Sequence, residues 1–259
     1  MSGPSYSYPT GQSNFRVVVA NCDGAQGKQA SIEEMCDYMH PDALLFCETK
    51  TDPDPIVKTQ NFIPKQHRKN CFRNDRDRHG GGVCVAIHDD YIVEEIEFPG
   101  NDCEVQWVKV ILQNNDPMYI ASYYRTPSDH TTASLDKLEK TLEHIGKLLD
   151  KNPRITVIIG GDFNTGGEID WETLKVKPGG RNTKICQKII DLFTAYGLTQ
   201  MQREPTRFGN ILDLYATNKP GLVKSIKNAP GLAYDHDSLV IDMDIKARVS
   251  KKAPYKQYI

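Results

Sequence analysis

Apolar residues along this chain fall into short continuous runs and into stripes of helical spacing. Helical spacing occurs at residues 31–39, 134–149 and 183–197. Ser31 and Glu34 have the spacing of a capping box in the first helix, and Gly197 follows the third as a left-handed cap. Runs typical of strands occur at 15–21, 43–48, 82–87, 105–112, 118–124, 155–160, 211–217 and 238–245. Many strands with few helices between them predict packed sheets flanked by helices in one domain.

The two ends of the chain lack this periodicity. Residues 1–14 form a leader rich in Ser, Gly, Pro and Tyr, which we expect to be disordered, and residues 249–259 form a basic tail. The domain between them is predicted to span residues 15–248. In a chain of 259 residues, a hydrophobic content of 39% is enough for a sizeable core.

Composition narrows the possible functions. The chain has 32 basic and 34 acidic residues, so any contact with nucleic acid must come from a local basic patch. Its seven cysteines are scattered and never form a C-x-x-C pair, which indicates reduced thiols inside a cell and not a disulfide framework or a zinc site. The longest apolar runs have about five residues, far below the ~20 of a membrane span. We therefore expect a soluble, intracellular protein without membrane contact.

Polar side chains follow several of the predicted strands. The first strand ends at Asn21 and is followed by Asp23, the second ends at Glu48, and 160-GGDFN-164 places Asp162 and Asn164 after the sixth. Taken singly, each of these residues is more often part of a turn than of a catalytic site. Together they form a set of oxygen donors that turn formation alone does not require.

The same pattern continues towards the end of the chain and suggests a reaction. Asp213 lies between apolar neighbours in 211-ILDL-214, and 235-DHD-237 immediately precedes the last strand. Oxygen donors without a thiolate or a histidine pair suit Mg²⁺ or Mn²⁺. Asn21, Asp23 and Glu48 could hold such an ion and leave positions open for water and a phosphate oxygen. Hydrolysis of a phosphodiester is the reaction that most needs this arrangement.

Several short strings resemble a known family over most of the chain, from Phe15 to Ile245. In this order, 48-ETK-50, 160-GGDFN-164 and 235-DH-236 resemble the endonuclease/exonuclease/phosphatase superfamily. The strings 124-YRTP-127, 160-GGDFNTGGEIDW-171 and 204-EPTRFGNILDLYATN-218 are most similar to the apurinic/apyrimidinic-like endonuclease domain of non-LTR (LINE-type) retrotransposons. The resemblance implies a deoxyribonuclease I-like α/β (α+β) fold, a four-layer sandwich of two packed mixed β-sheets flanked by helices.

The resemblance also implies a role for each candidate residue on the first strands. Glu48, helped by Asn21 and Asp23, resembles the metal site of the family. Asp162 matches the carboxylate that activates the attacking water. Asn164 matches the amide that positions this water or the phosphate.

Further roles follow from the same resemblance. His236 matches the imidazole that contacts the scissile phosphate, and Asp213 matches its orienting carboxylate, which should raise the histidine's pKa. Asp235 matches a residue near the metal and water. Tyr124 matches a hydroxyl that contacts the phosphate.

DNA contacts are expected from a basic segment, residues 65–78, and from the motifs. Charge runs of this kind are usually solvated loops, and that alternative applies here. Gly160 and Gly161 are expected to leave room for the phosphate, although they could instead fit a neighbouring strand. The predicted DNA-binding residues are Arg68, Lys69, Arg73, Arg76, Arg78, Arg125, Thr206 and Arg207.

The sequence therefore predicts a divalent-metal-dependent DNA endonuclease that nicks one strand and leaves a 3′-hydroxyl to prime reverse transcription. Mg²⁺ is the expected cofactor, with Mn²⁺ as a substitute, and a reverse transcriptase in the same polyprotein is the expected partner. We expect a monomer that acts in the nucleus. Alternatives are an abasic-site repair endonuclease, a small-substrate phosphatase or phosphodiesterase, and a non-catalytic DNA-binding module. Pro127 weakens the repair alternative, because the repair branch carries Asn there, and Tyr234 replaces a Ser found in many relatives.

Overall fold

Two six-stranded β-sheets form the centre of the structure, a computed structural model that describes residues 14–99 and 102–250. Three α-helices lie within these residues: α1 (Gln29–Met39), α2 (Ala133–Lys151) and α3 (Thr183–Ala195). The strands are β1 (Phe15–Asn21), β2 (Ala43–Cys47), β3 (Asn70–Asn74), β4 (Val83–Ile87), β5 (Val93–Ile96), β6 (Val105–Ile111), β7 (Pro117–Tyr124), β8 (Thr156–Asp162), β9 (Ile169–Asp170), β10 (Lys175–Val176), β11 (Thr199–Gln200), β12 (Asp213–Thr217), β13 (Val223–Ala229) and β14 (Ser238–Met243).

Both sheets are mixed, and each has one parallel pair near its centre. The first has the order β13-β14-β1-β2-β4-β3, and the second has the order β11-β12-β8-β7-β6-β5. Strands β1 and β2 are parallel in the first sheet, as are β7 and β8 in the second. Because parallel strands end on the same side of a sheet, residues that follow β1 and β2, or β7 and β8, lie at a common edge.

Three apolar layers hold the sheets and helices together. The faces between the sheets share one core, which contains Val19 from β1 and Ile120 and Ile158 from the second sheet. Helices α2 and α3 cover the outer face of the second sheet around Trp107, and α1 covers the outer face of the first around Leu44. Full burial of each aliphatic side chain contributes roughly 1.5–3 kcal/mol. The expected four-layer sandwich is confirmed.

All eight predicted strands and all three predicted helices exist, but their ends differ in places. Helix α1 begins at Gln29, two residues before Ser31, and its N-cap Lys28 makes no side-chain cap hydrogen bond. The capping-box prediction was therefore wrong, because Ser31 lies inside the helix. Gly197 has a φ of +62° just beyond α3, as a left-handed cap requires.

The strands that periodicity did not predict are short or lie at sheet edges. Strands β3, β5 and β13 contain mostly half-buried or exposed residues, and β9, β10 and β11 have two residues each. Edge strands bury little apolar surface, so their sequences carry little hydrophobic signal.

Residues 1–13 and 251–259 lie outside the described residues, and the first residues of the predicted tail are bonded to the domain, with Ser250 N donating to Asp90 O at 2.7 Å. All seven cysteines are free thiols, as predicted. Among the described residues, no helix is both long enough and apolar enough to cross a membrane.

Candidate active site

The candidate residues meet at one edge of the two sheets, although they are far apart in sequence. Tyr124, Asp162 and Asp213 are neighbours on adjacent strands, because Asp162 pairs with Tyr124 of β7 and with Asp213 of β12. Asn21 ends β1 opposite Cys47 of the parallel β2, which brings Glu48 to the same edge.

Hydrogen bonds connect the two sheets across this edge. Asn21 Nδ2 donates to Asp162 Oδ2 at 3.2 Å, and Tyr124 OH donates to Glu48 Oε1 at 2.6 Å. Burial and the hydrogen bond to Glu48 raise the pKa of Tyr124, so its hydroxyl remains a donor. Both sheets therefore contribute side chains to a single site.

Asp213 and His236 form a buried pair. His236 Nδ1 lies 2.8 Å from Asp213 Oδ2, and His236 is only 5% exposed. Burial alone would lower the pKa of His236, but the hydrogen bond and the charge of Asp213 outweigh this effect and raise the pKa above its usual value. This hydrogen bond holds the imidazole in one orientation relative to Asp213, and the catalytic role of the pair stays a prediction.

Asp162 lies beside this pair in a water-poor environment. Burial and the charge of Asp213 raise the pKa of Asp162 well above its usual value. Its Oδ1 accepts the backbone N–H of Asn164 at 3.0 Å. Ligand atoms of Asp162, Asp213 and His236 all lie within 4.8 Å of one another. A raised pKa makes Asp162 a stronger proton acceptor once it is ionised.

Backbone strain is concentrated at this edge. Among the described residues, eight non-glycine residues have a positive φ, and four of them are Asp23, Glu48, Lys50 and Asn164. Each such conformation costs of the order of 1–3 kcal/mol and persists only where surrounding contacts impose it. Such strain is typical of functional sites, where it directs side chains to fixed positions.

The predicted metal ligands fit a divalent cation by their chemistry. Asn21, Asp23 and Glu48 all offer oxygen atoms, which hard cations prefer. The ammonium of Lys50 lies between two of them, paired with Asp23 and 3.1 Å from Glu48 Oε2. The hydrogen bond from Lys50 to Asp23 lowers the pKa of Asp23. A cationic group thus already occupies the space between these carboxylates.

Gly160 and Gly161 do not make room for a phosphate, and this prediction was wrong. A Cβ on Gly160 would lie 2.8 Å from a methyl of Val19 and 2.9 Å from one of Leu45, both in the opposite sheet. A Cβ on Gly161 would lie 1.9 Å from the backbone oxygen of Tyr123. These glycines allow the two sheets and the adjacent strand to approach closely, which was the alternative explanation.

Three of the predicted DNA-binding residues have buried side chains, so their assignment is corrected. Arg73 pairs with Asp75 at 2.8 Å and has a side chain that is 7% exposed. Arg125 is 1% exposed and donates to the backbone oxygens of Phe163 and Asn164. These side chains bond to the chain itself, and Arg125 supports the backbone of the candidate site.

Thr206 is the third buried residue of the predicted DNA-binding set. Its Oγ1 accepts the backbone N–H groups of Leu212 and Asp213, both at 3.1 Å. Thr206 therefore positions the start of β12, which carries Asp213, and has no surface left for a phosphate.

The remaining predicted DNA contacts differ in how available their charges are. Lys69 and Arg78 are exposed, whereas Arg68 is half-buried and donates to Ile63 O at 2.8 Å. Arg76 pairs with Glu104 at 2.8 Å, with its side chain 40% exposed. Thus only part of the basic segment is free to meet a polyanion.

Arg207 and Asp235 form an ion pair on the rim of the site, with Arg207 Nη2 2.5 Å from Asp235 Oδ2. The Arg207 guanidinium also lies 5.5 Å from the ring centre of Phe208. Phe208 is 79% exposed, and Tyr234, next to Asp235, is fully exposed. Sequence reasoning gave no role to Phe208 or to Lys50, although Lys50 belongs to the 48-ETK-50 motif and Phe208 to the 206-TRFGN-210 loop.

Comparison with known families supports the resemblance found in the sequence. Residues 118–240 match the model of a family described as endonuclease-reverse transcriptase. This segment contains Tyr124, Asp162, Asn164, Asp213 and His236. No curated protein matches the chain.

Solved structures with the same fold cover nearly the whole chain. The endonuclease domain of TRAS1, a telomere-specific non-LTR retrotransposon, is 17% identical with a TM-score of 0.62, over 88% of this chain and 98% of that one. The AP endonuclease LMAP from Leishmania major is 11% identical with a TM-score of 0.67, and the match covers 94% of this chain and 92% of that one. The catalytic domain of Xenopus laevis APE2 is 14% identical with a TM-score of 0.67, and the match covers 92% of this chain and 94% of that one. The predicted resemblance and fold class are confirmed.

Proposed function

We propose that this chain, whose residues 118–240 match the endonuclease-reverse transcriptase family, is a divalent-metal-dependent DNA endonuclease that nicks one strand by hydrolysis. The observation that carries the proposal is the meeting of Glu48, Asp162 and the Asp213–His236 pair at one edge of two sheets. Hydrolysis of a phosphodiester requires all three kinds of group: a cation site, a proton acceptor and a donor to the phosphoryl oxygens.

Glu48, Asn21 and Asp23 would hold the divalent ion. When bound, such an ion supplies Lewis-acid stabilisation of charge on the phosphoryl oxygens. Tyr124 keeps Glu48 in place through its hydroxyl, and Asn21 links the ion site to Asp162. We propose Mg²⁺ as the ion, with Mn²⁺ as a substitute.

Asp162 accepts the proton of the attacking water. Its two oxygens accept from Asn21 Nδ2 and Asn164 N, which restricts rotation of the carboxylate. The Nδ2 of Asn164 donates to Arg125 O at 2.8 Å, so this side chain is held in place beside Asp162. A fixed base near the reacting water is worth roughly 10²–10⁴ in rate.

His236 stabilises the charge that develops on the phosphate. Because Nδ1 is bonded to Asp213, the Nε2 atom is the one available to donate to a phosphoryl oxygen. The raised pKa keeps the imidazole protonated over a wider pH range, and Asp213 fixes its orientation. Asp235 is held by Arg207 beside this histidine.

Features of the rim favour DNA over a small phosphoester as the substrate. Arg78 follows β3 at the edge where β2 ends and offers an exposed positive charge, and Phe208 and Tyr234 offer exposed aromatic faces beside the site. Basic groups that follow a phosphate backbone, combined with aromatic faces that stack on bases, are typical of nucleic-acid binding.

A salt titration tests the DNA contacts, with Arg78 and Arg73 as a matched pair. Arg78→Ala should reduce the magnitude of the slope of log affinity against log salt by about one. Arg73→Ala should leave this slope unchanged and instead destabilise the fold, because its buried partner Asp75 loses its counter-charge. Equal slopes for wild type and Arg78→Ala would remove Arg78 from the DNA contact.

Nicking of supercoiled plasmid tests the catalytic proposal. We expect nicking with Mg²⁺, none with EDTA, and a loss of at least about 10² in rate for Asp162→Asn and for His236→Gln. Glu143→Gln, on the exposed face of α2, is the control and should nick at the wild-type rate. Equal nicking by Asp162→Asn would mean that the assignment is wrong or that a contaminant cuts the DNA.

We also propose that the nick primes reverse transcription. A 3′-hydroxyl at the nick would prime a reverse transcriptase of the same polyprotein, in the nucleus, with the endonuclease acting as a monomer. Extension of the nicked plasmid by an added polymerase tests the 3′-hydroxyl directly. A much faster cut in abasic duplex than in intact plasmid would favour the repair endonuclease instead.

A further inference from the structure

Lys50 lies within the candidate site, but the proposed hydrolysis does not use its ammonium group. Its Nζ pairs with Asp23 Oδ1 and lies 3.1 Å from Glu48 Oε2. Both carboxylates belong to the set that would hold the divalent ion. One ammonium therefore bridges two of the three proposed ligand residues.

The backbone directs Lys50 to this position. Lys50 has a φ of +48°, an uncommon conformation for a non-glycine residue, and its N–H donates to Gly81 O at 2.9 Å. Glu48 and Asp23 share this left-handed conformation, with φ values of 50° and 41°. Because all three residues are constrained in this way, the contact between Lys50 and the two carboxylates is part of the site and not a chance surface pairing.

The ammonium neutralises a concentration of negative charge. Glu48 is 18% exposed at its side chain, and its second oxygen already accepts from Tyr124 OH at 2.6 Å. Asp162 lies next to Tyr124 in the adjacent strand. Without a cation, these carboxylates would repel one another in surroundings that screen charge less than water does.

We propose that the Lys50 ammonium occupies the cation position between Asp23 and Glu48 and leaves it when a divalent ion binds. Lys50 thus stabilises the fold of the metal-free protein and weakens metal binding by competing for the same oxygens. The inference rests on the metal-dependent function proposed above and deepens it, since it makes Lys50 the residue that sets the affinity for the ion.

The test measures Mn²⁺ binding without DNA, by electron paramagnetic resonance of the free ion. Lys50→Met removes the charge and keeps most of the length of the side chain, so the Mn²⁺ dissociation constant should fall on the order of tenfold. Lys50→Arg keeps the charge and should bind Mn²⁺ no more tightly than wild type. A merely structural lysine would give the opposite sign for Lys50→Met, because loss of support would weaken the site.

Lys28 provides a matched control near the same loop. Its Nζ donates to the backbone oxygens of Cys22 at 2.6 Å, of Asp23 at 3.1 Å and of Leu232 at 3.1 Å, and within residues 14–99 and 102–250 to no carboxylate. Lys28→Met should therefore lower the Mn²⁺ dissociation constant less than Lys50→Met does, because the Lys28 ammonium acts on the Asp23 carboxylate only through space and does not occupy the proposed ligand oxygens.

Urea unfolding gives a second readout that is independent of activity. In EDTA, Lys50→Met should unfold at a lower urea concentration than wild type, because two carboxylates lose their counter-charge. Saturating Mn²⁺ should raise the midpoint of Lys50→Met more than that of wild type, since tighter binding to the folded state stabilises it more.

The outcomes separate this inference from the proposed function. If wild type binds Mn²⁺ and nicks plasmid, but Lys50→Met binds Mn²⁺ equally or more weakly, the competing role of Lys50 is overturned and the nuclease proposal stands. If neither wild type nor Lys50→Met binds Mn²⁺ and neither nicks, both the inference and the metal-dependent function are overturned.

Discussion

Acid should destabilise this protein through one buried histidine outside the active site. His67 is 1% exposed, its Nε2 lies 3.0 Å from Pro41 O, and its buried Nδ1 has no hydrogen-bond partner in the part of the chain that the structure describes. Burial, opposed by the hydrogen bond to Pro41 and assisted by the nearby His88, lowers the pKa of His67 from 6.5 to about 4. The folded protein therefore keeps His67 neutral at pH values where the unfolded chain binds a proton.

The sign and size of the effect follow from this difference. Between pH 6.5 and about 4 the unfolded state binds more protons at this residue, so the free energy of unfolding falls as the pH falls. A shift of one pKa unit is worth about 1.4 kcal/mol, so the full loss between pH 7 and pH 4 is on the order of 3 kcal/mol. That is a large part of the 5–15 kcal/mol typical of a folded domain.

Urea unfolding of wild type and of His67→Gln from pH 7.5 to pH 4 tests this reasoning. Glutamine keeps an N–H donor for Pro41 O and does not titrate, so the free energy of unfolding of wild type minus that of His67→Gln should fall by about 3 kcal/mol between pH 7.5 and pH 4. Any cost of the substitution that does not depend on pH shifts the whole curve and cancels. The exposed His130→Gln serves as the control and should run parallel to wild type. Parallel curves for His67→Gln would refute a lowered pKa at this position.

Three further predictions concern the site and its support. Asp213→Asn should remove the main cause of the raised pKa of His236. The imidazole should then lose its proton at a lower pH, so the alkaline limb of a pH–rate profile should move to lower pH than in wild type. Tyr234→Ala should weaken DNA binding by roughly 1–3 kcal/mol, measured by fluorescence anisotropy, if the ring stacks on a base, while hydrolysis of a small phosphodiester should not change. Gly160→Ala should destabilise the fold by roughly 1–3 kcal/mol in urea unfolding, because its Cβ would crowd two aliphatic side chains. Gly146→Ala in helix α2 should not destabilise it, since the new Cβ would meet Tyr196 at an ordinary 3.5 Å.

The candidate catalytic residues were easier to place from the sequence than the candidate DNA-binding residues. Asp162 and Glu48 each follow an apolar run that is itself a clear strand signal, so their position at a sheet edge followed directly. Arg73 belonged to a charge run that looked like a loop. The segment forms the edge strand β3, in which alternate side chains point to opposite faces, and Arg73 lies in a buried ion pair.

The sequence alone determined the number of main strands and helices, the class of packed sheets flanked by helices and the residue types available for metal-assisted hydrolysis. These features follow from local periodicity and from chemistry that each residue carries by itself. Only the tertiary structure decided that Gly160 faces the opposite sheet, that Arg125 and Thr206 support the backbone, and that Lys50 bridges Asp23 and Glu48. The physical reason is that burial and ion pairing depend on distances between segments remote in sequence, and the packing of two sheets sets those distances.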